Sequence, residues 1–330
     1  MRAVLLAETG GPDVLEFVER ERPRPATGEV VVEIAAAALN YADLMQRKGV
    51  YTKAAALPTV LGIECSGVVA EVGEGVSGWS PGDRVCTLTP GGAYAEFVAV
   101  RADQLMPVPQ GVSLTEAAGL PEAACTVWSN LIDICALRAG EAVLVHGGAG
   151  GIGSFAVQVA SAWGARVFAT AGSADKMALC ERLGAARAIS YRDEDFPAVV
   201  KAGTDGRGAD VILDNMGAAY FARNVDALAV DGRLAIIGLQ GGKDVAFSLG
   251  DLFARRASLF TTSLRDRPAA EKARIVRGVV DDIWPLVAAG RVRPIIDRTF
   301  PLPQAAAAHE YMETGSHAGK ILLAVKQDQH

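Results

Sequence analysis

The residue types able to do chemistry fall in three stretches of this 330-residue sequence. The first is EAVLVHGGAGGIGSFAVQVASAWGA, residues 141–165. An apolar run enters Gly148-x-Gly150-x-x-Gly153 and leaves as a helix-patterned segment carrying Ala156, Val157, Val159 and Ala160. Such spacing suits a pyrophosphate. The first glycine permits a tight turn, the second lets backbone approach the anion, and the third lets helix and strand pack closely. Unpaired N–H groups and the positive end of the helix dipole then face the ligand. Because the spacing opens an alternating strand–helix series, we read Gly148, Ala149, Gly150, Gly151, Ile152 and Gly153 as a dinucleotide-binding loop. The second stretch, NYADLMQRKGVY, collects the Asn40 amide, the Asp43 carboxylate and the Tyr51 phenol within twelve residues. A phenol can donate a proton, an amide can orient a ligand, and a carboxylate can hold either in place. Plain readings stand beside these, with Asp43 as a helix-start residue and Tyr51 as a loop-packing one.

Which dinucleotide is bound depends on the tip of the second strand, roughly 20 residues further on, where a carboxylate would hold a ribose 2′-hydroxyl. Here the strand ARVFAT ends in Ala171, Gly172, Ser173, Ala174, Asp175 and Lys176, and Tyr191-Arg192 end the next strand. No carboxylate sits at the tip itself. Small residues leave room for a 2′-phosphate that Ser173 and Lys176 can bind, so NADPH is the expected cofactor. Ser173 capping a helix that Asp175 and a solvated Lys176 begin is the bland alternative, and the two are compatible.

A third stretch, LGIECSG at 61–67, sets Glu64 beside Cys65 and raises the question of a metal. Adjacent residues on a strand point to opposite faces, so these two do not readily share one ion. The four histidines, His146, His309, His317 and His330, lie far away in sequence, and no C-x-x-C pair occurs among the five cysteines. We expect no metal site. Cys65, Cys125 and Cys135 read as buried small hydrophobes, and His146, at the end of a strand, as a structural residue.

These side chains must be placed by two kinds of sequence. The first 120 residues alternate short β-like runs (29–39, 67–76, 83–88, 93–100) with Gly/Pro punctuation, the texture of an irregular β-rich domain. From Glu141 strands alternate with helices across 151–163, 174–184 and near 219–229, which implies a parallel sheet covered on both faces. PIIDRTFPL and KILLAV near the end return to the first texture. The expected division is therefore 1–122 with 290–330, and 123–289 between them. Half of the residues are hydrophobic and 21% are charged, which excludes extensive disorder. A net charge of −6 argues against nucleic acid as the main ligand. No apolar run reaches membrane-span length, and the opening residues hold too short an apolar core for a signal peptide, so a reduced, cytoplasmic protein is expected.

Asn40-x-x-Asp43-x-x-x-Arg47-x-Gly49-x-Tyr51, LG-x-E-x-SG-x-V, PGDRV, the glycine loop and AHEYMETGSHAGKILL together resemble the zinc-free quinone oxidoreductase branch of the medium-chain dehydrogenase/reductase superfamily. The resemblance spans nearly the whole chain. Within that branch, ADLMQRKGVY and TAGSADK are most similar to the tumour-suppressor-inducible, NADPH-dependent subgroup. It implies an α/β fold with a GroES-like β-rich domain plus a Rossmann doubly wound parallel sheet, a cleft between them, and a homodimer. It places cofactor contacts at Asn40, Tyr51, Thr126, the Gly148–Gly153 loop, Ser173, Lys176, Tyr191, Asn215, Leu239, Gly241, Ser263 and Lys320. Zinc-dependent relatives set a His directly before the Glu, where this chain has Ile63, and a Cys in the region of Asn40. Relatives often have a Ser at the position of Gly150.

Without a Lewis acid, easy hydride acceptors remain, namely quinones and activated carbon–carbon double bonds. The resemblance implies Tyr51, Asn40 and Asp43 as the catalytic group and NADPH:quinone reductase as the activity. Alternatives are an enone or enoyl-thioester reductase and an NADPH-binding structural or RNA-associated protein. SLFTTSL at 258–264 is expected to be a late strand of the parallel sheet, an edge that a second copy would cover.

Overall fold

Valine, isoleucine and alanine fill the run EVVVEIAAAA, and it forms the ten-residue strand Glu29–Ala38, which is buried over most of its length. The computed structural model describes residues 1–51 and 56–325. It divides into two units: Met1–Glu122, Ala269–Ala288 and Pro294–His330 form one, and Ala123–Pro268 with Ala289–Arg293 the other.

In the first unit, strands follow the order Ile296–Pro301, Lys320–Ala324, Glu29–Ala38, Glu64–Val72, Arg84–Leu88 and Leu105–Pro107, with Phe97–Arg101 also paired to Glu29–Ala38. The pairings are antiparallel except the first, between Ile296–Pro301 and Lys320–Ala324. Leu322 stands opposite Ala38 and Leu323 opposite Ala37, so the returning strand sets Lys320 near the start of the helix Tyr41–Arg47. The core is made by Val30, Val32, Ile34, Leu61, Cys65, Tyr94 and Leu323, with Leu302 and Ala305 from the C-terminal segment. The strand in LGIECSG begins at Glu64 and stops at Val72, because Gly73 and Gly75 (φ +76°) turn the chain.

One boundary differs from the sequence reading. The segment Ala269–Ala288 groups with the first unit, whereas the expected division at 123–289 included it in the second. Its helix Ala269–Gly278 buries Ala273, Ile275 and Val276, and Trp284 Nε1 donates to the Pro107 carbonyl at 2.8 Å. Helical pattern alone does not say which sheet an amphipathic face will cover.

The second unit holds a six-stranded, all-parallel sheet: Arg187–Ser190, Arg166–Ala171, Ala142–Val145, Ala209–Asp214, Leu228–Ile236 and Ser258–Thr261. In chain order this is 3-2-1-4-5-6, with a reversal between the first and fourth strands, the switch point where such sheets bind ligands. The first strand is buried at every residue, as a sheet covered on both faces requires. Leu144, Phe168, Ile189, Phe196, Val200, Ile212, Phe221 and Leu234 form the core. No helix among the described residues is long and apolar enough to cross a membrane.

Candidate active site and cofactor site

The glycine turn leaves the first strand after Val145. Gly147 has φ +63°, so the left-handed residue that makes the turn lies one position before the Gly148 picked from the sequence. Gly148 is constrained by packing instead, since a Cβ there would lie 2.7 Å from Ala169 Cβ and 3.0 Å from Cys180 Sγ. Gly150 caps the helix Gly151–Ala162. A Cβ on Gly153 would stand 2.1 Å from the Gly147 carbonyl oxygen, a clash with backbone that no side-chain rotation relieves. The N–H groups of Gly151, Ile152 and Gly153 form the first turn of this twelve-residue helix, where donors point along the axis toward an incoming anion. Ala149 is buried within the turn.

His146 fixes the turn from behind. Its Nε2 meets Asn224 Oδ1 at 2.7 Å and its Nδ1 meets Thr170 Oγ1 at 3.1 Å, and that hydroxyl accepts the Gly147 N–H at 3.2 Å. Edge-on contacts with Phe196 and Tyr220 enclose the ring. Burial pushes the imidazole down to about 4, opposed by the Asn224 hydrogen bond, so it is neutral and structural.

Three predicted residues meet at the tip of the second strand. Ser173 caps the helix Ala174–Arg182 by accepting the Lys176 N–H at 3.4 Å. Tyr191 packs over Gly172, where a Cβ would come within 2.2 Å of the phenol oxygen. Ser173 is exposed and Lys176 half-buried. At the switch point, Asn215 follows the fourth strand beside Gly147, a Cβ on which would lie 3.1 Å from Asn215 Nδ2. Asn215 Oδ1 is buried with no protein partner, an acceptor awaiting a donor. The loop carrying Leu239 and Gly241 closes over the same residues: Gln240 N–H reaches the Asn215 carbonyl at 3.2 Å and Gly241 N–H the Met216 carbonyl at 2.7 Å. Ser263 is exposed two residues beyond the edge strand Ser258–Thr261. Thr126 is buried in the helix Pro121–Val127, and its carbonyl accepts from Asn130 Nδ2 at 2.8 Å. A glycine cradle in which Gly148 and Gly153 leave no room for a Cβ, next to an orphaned amide oxygen, fits a dinucleotide.

The second polar group belongs to the first unit. Asn40 caps the helix Tyr41–Arg47, and the Asp43 carboxylate accepts N–H groups from Asn40 at 2.9 Å and Gly62 at 3.2 Å. Asp43 is therefore a helix-start residue and a centre of organisation at once. Burial pushes its carboxyl up to about 7, against the lowering effect of those N–H groups and of Lys320. Tyr94 Oη sits 3.3 Å from Asp43 Oδ2 and 3.3 Å from His309 Nε2. Asn40, Glu64 and Lys320 form a buried trio: Lys320 Nζ reaches Glu64 Oε1 at 2.5 Å, Asn40 Oδ1 at 2.8 Å and the Leu39 carbonyl at 3.1 Å. Asn40 Nδ2 donates to Glu64 Oε1 at 2.8 Å, and the Glu122 N–H donates to Glu64 Oε2 at 2.9 Å. Tyr51 follows the helix, half-buried, its N–H on the Met45 carbonyl at 3.2 Å. Arg47, fully buried, reaches Glu313 at 2.5 Å and ties this helix to the C-terminal segment.

Sequence reasoning placed Asn40 and Lys320 separately and missed that Glu64 joins them. It also passed over Tyr94 and His309, which meet beside Asp43. A lysine heading an otherwise apolar strand, KILLAV, was the one available signal of a buried partner. All five cysteines are free and buried, and burial pushes the Cys135 thiol up to about 12.

A 3-2-1-4-5-6 parallel sheet with a glycine turn after its first strand, in one chain with a separate antiparallel β unit, defines a two-domain NAD(P)-dependent oxidoreductase. Comparison with known proteins agrees. Residues 26–110 match the alcohol dehydrogenase GroES-like domain, and residues 151–277 match the zinc-binding dehydrogenase family. The chain is 30% identical to the quinone oxidoreductase of Rattus norvegicus, over 98% of this chain and 97% of that protein. It is 34% identical, over 97% of its length, to a phenolphthiocerol/phthiocerol polyketide synthase component of Mycobacterium tuberculosis, of which it spans 14%. Among solved structures, the Escherichia coli quinone oxidoreductase complexed with NADPH superposes with a TM-score of 0.87 at 31% identity, covering 98% of this chain and 100% of that one. An NAD-dependent alcohol dehydrogenase gives a TM-score of 0.88 at 35% identity, covering 99% and 100%. The chain belongs to the medium-chain dehydrogenase/reductase superfamily and has quinone oxidoreductases among its relatives.

Proposed function

We propose that this protein is an NADPH-dependent, zinc-independent quinone oxidoreductase. The observation that carries the reading is the buried trio of Lys320, Glu64 and Asn40. Glu64 has one oxygen on an ammonium and an amide and the other on a backbone N–H, so three of its four lone pairs are engaged by protein donors. Ile63 beside it cannot ligate, and the described residues contain no group of three or more His, Cys, Asp or Glu arranged to hold a metal. A site without a Lewis acid suits acceptors whose conjugation spreads the developing charge. NADPH, when bound, supplies a hydride. The residues of this chain hold it through the helix N-terminus after Gly150, accept a hydrogen bond at Asn215 Oδ1, and bind the 2′-phosphate at Ser173, Lys176 and Tyr191. Tyr51 donates to the substrate oxygen, while Asp43 and Asn40 fix the helix that leads to it. The activity is assayed with a panel of small quinones and enones and NADPH: quinone turnover supports the proposal, and turnover of none of them contradicts it.

A second reading, enone or enoyl-thioester reduction, is favoured by the 34% identity to the polyketide synthase. The same panel separates the two, because such an enzyme would prefer the enones. We also propose a cytoplasmic homodimer formed at the edge strand Ser258–Thr261. Leu259 is 38% exposed there, and Leu249 and Phe253 of the helix before it are 73% and 85% exposed. A monomeric mass by light scattering would refute the dimer.

A further inference from the structure

Asp43, Tyr94 and His309 are all buried in the first unit, and the phenol stands between the other two. Tyr94 has one hydroxyl hydrogen, so it donates to one neighbour and must accept from the other. Two arrangements satisfy all three groups. With Asp43 ionised, Tyr94 donates to the carboxylate and His309 donates from Nε2, which leaves Nδ1 bare. With Asp43 protonated on Oδ2, the acid donates to Tyr94, Tyr94 donates to Nε2, and the ring hydrogen sits on Nδ1. The ring is neutral in both, so its tautomer follows the proton on Asp43.

The surroundings make Asp43 the member that titrates near neutrality. Burial and the Glu64 carboxylate push its carboxyl up to about 7, against Lys320 and the N–H groups of Asn40 and Gly62. Burial and the charge of Asp43 push the Tyr94 phenol well above its ordinary value. Burial and the Arg47 guanidinium push the His309 imidazole down to about 3, against Glu313. Glu313 lies one turn beyond His309 on the helix Ala305–Glu313, where it holds Arg47 at 2.5 Å and Lys48 at 2.7 Å. Among the described residues, His309 Nδ1 and the Nε and Nη1 of Arg47 have no protein partner.

We propose that Asp43, Tyr94 and His309 form a pH-sensitive switch with two hydrogen-bond directions, which carries the protonation state of Asp43 to the C-terminal helix as the tautomer of His309. As pH rises, the Asp43 Oδ2–H bond breaks and that hydrogen joins Tyr94 Oη. The hydrogen already on Tyr94 passes to His309 Nε2, and the one on Nδ1 leaves to water. One proton is lost overall and the ring stays neutral. Nδ1 then offers a lone pair in place of an N–H to the field of Arg47, the guanidinium that ties the helix Tyr41–Arg47 to the C-terminal one. The switch lies within one unit and needs no ligand.

The test is nitrogen NMR of the imidazoles in the full chain, labelled at histidine and titrated from about pH 5.5 to about 8.5 with no cofactor present. The His309 signals are identified by their absence from His309→Gln. They are expected to show Nδ1 protonated at the acid end and Nε2 protonated at the alkaline end, with the reversal centred at about 7. Tyr94→Phe cuts the chain and leaves one tautomer throughout. Asp43→Asn presents an amide donor to Tyr94 and holds the hydrogen on Nδ1 at every pH. If that variant fails to fold, the wild type and Tyr94→Phe decide between them. One tautomer at both ends of the wild-type titration, a doubly protonated ring at the acid end, or a reversal that survives in Tyr94→Phe overturns the proposal.

Discussion

At the turn after Val145 the groups proposed to meet a ligand are backbone N–H groups of consecutive residues, Gly151 to Gly153. At Asn40 they are side chains that fold back on one another from 256 and 280 residues away, with Lys320 the partner of both Glu64 and Asn40. The first region works because side chains are missing, and the second because three of them are matched. The two are therefore broken by opposite changes, adding an atom to one and removing a charge from the other.

The largest effect is expected in the side-chain region. Lys320→Met strands the buried Glu64 carboxylate and lowers unfolding free energy by about 3–5 kcal/mol, while Lys320→Met with Glu64→Gln recovers most of it. Urea denaturation of the single and double variants checks this. In the backbone region, Gly153→Ala forces a Cβ against the Gly147 carbonyl and costs about 1–3 kcal/mol together with NADPH binding. Gly150→Ala, whose Cβ would lie 3.3 Å from that oxygen, is milder in both measurements.

How much of this was legible in advance follows from the same contrast. A glycine spacing between a strand and a helix is local, so the second unit could be read from a few dozen consecutive residues, with the turn misplaced by one position to Gly148. The parallel sheet followed from strand–helix alternation. In the first unit, the pairing of Glu64 with Lys320 depends on the register of Lys320–Ala324 against Glu29–Ala38, which no local pattern encodes. Ala269–Ala288 groups differently from the expected division for a related reason, since its apolar stripe says that it packs and not on what. Tyr94 and His309 were invisible because a buried aromatic and a buried imidazole look like core until Asp43 is placed beside them.

Smaller effects sharpen the contrast further. The Asp43 carboxyl, pushed up to about 7 by burial, adds stability below its ordinary value of 3.8 that is lost as pH rises through about 7. Asp214, pushed up to about 6, acts in the same direction at lower pH. His146 and His309, pushed down to about 4 and about 3, act in the opposite one, their stability being lost as pH falls below 6.5. Unfolded-state imidazoles are still half protonated at pH 6.5, so between about pH 5.5 and 7.5 the histidines oppose Asp43, and Asp43→Asn makes the slope of thermal midpoint against pH more positive across that window. At the second strand's tip, Lys176→Ala lowers the preference for NADPH over NADH by about fivefold, as expected of a half-buried cation facing a phosphate. Equal cofactor affinities in the wild type would contradict the 2′-phosphate site.

The central claim is hydride transfer from NADPH to a quinone without a metal, and it is met most directly by isotope. Chelator-treated enzyme is mixed with a small quinone and NADPH carrying deuterium at either face of C4. The account predicts full activity after chelation, one quinone consumed per NADPH, and a slowed rate with one of the two deuterated isomers only. Activity lost with the metal and regained on adding zinc, or no quinone reduced at all, would contradict it.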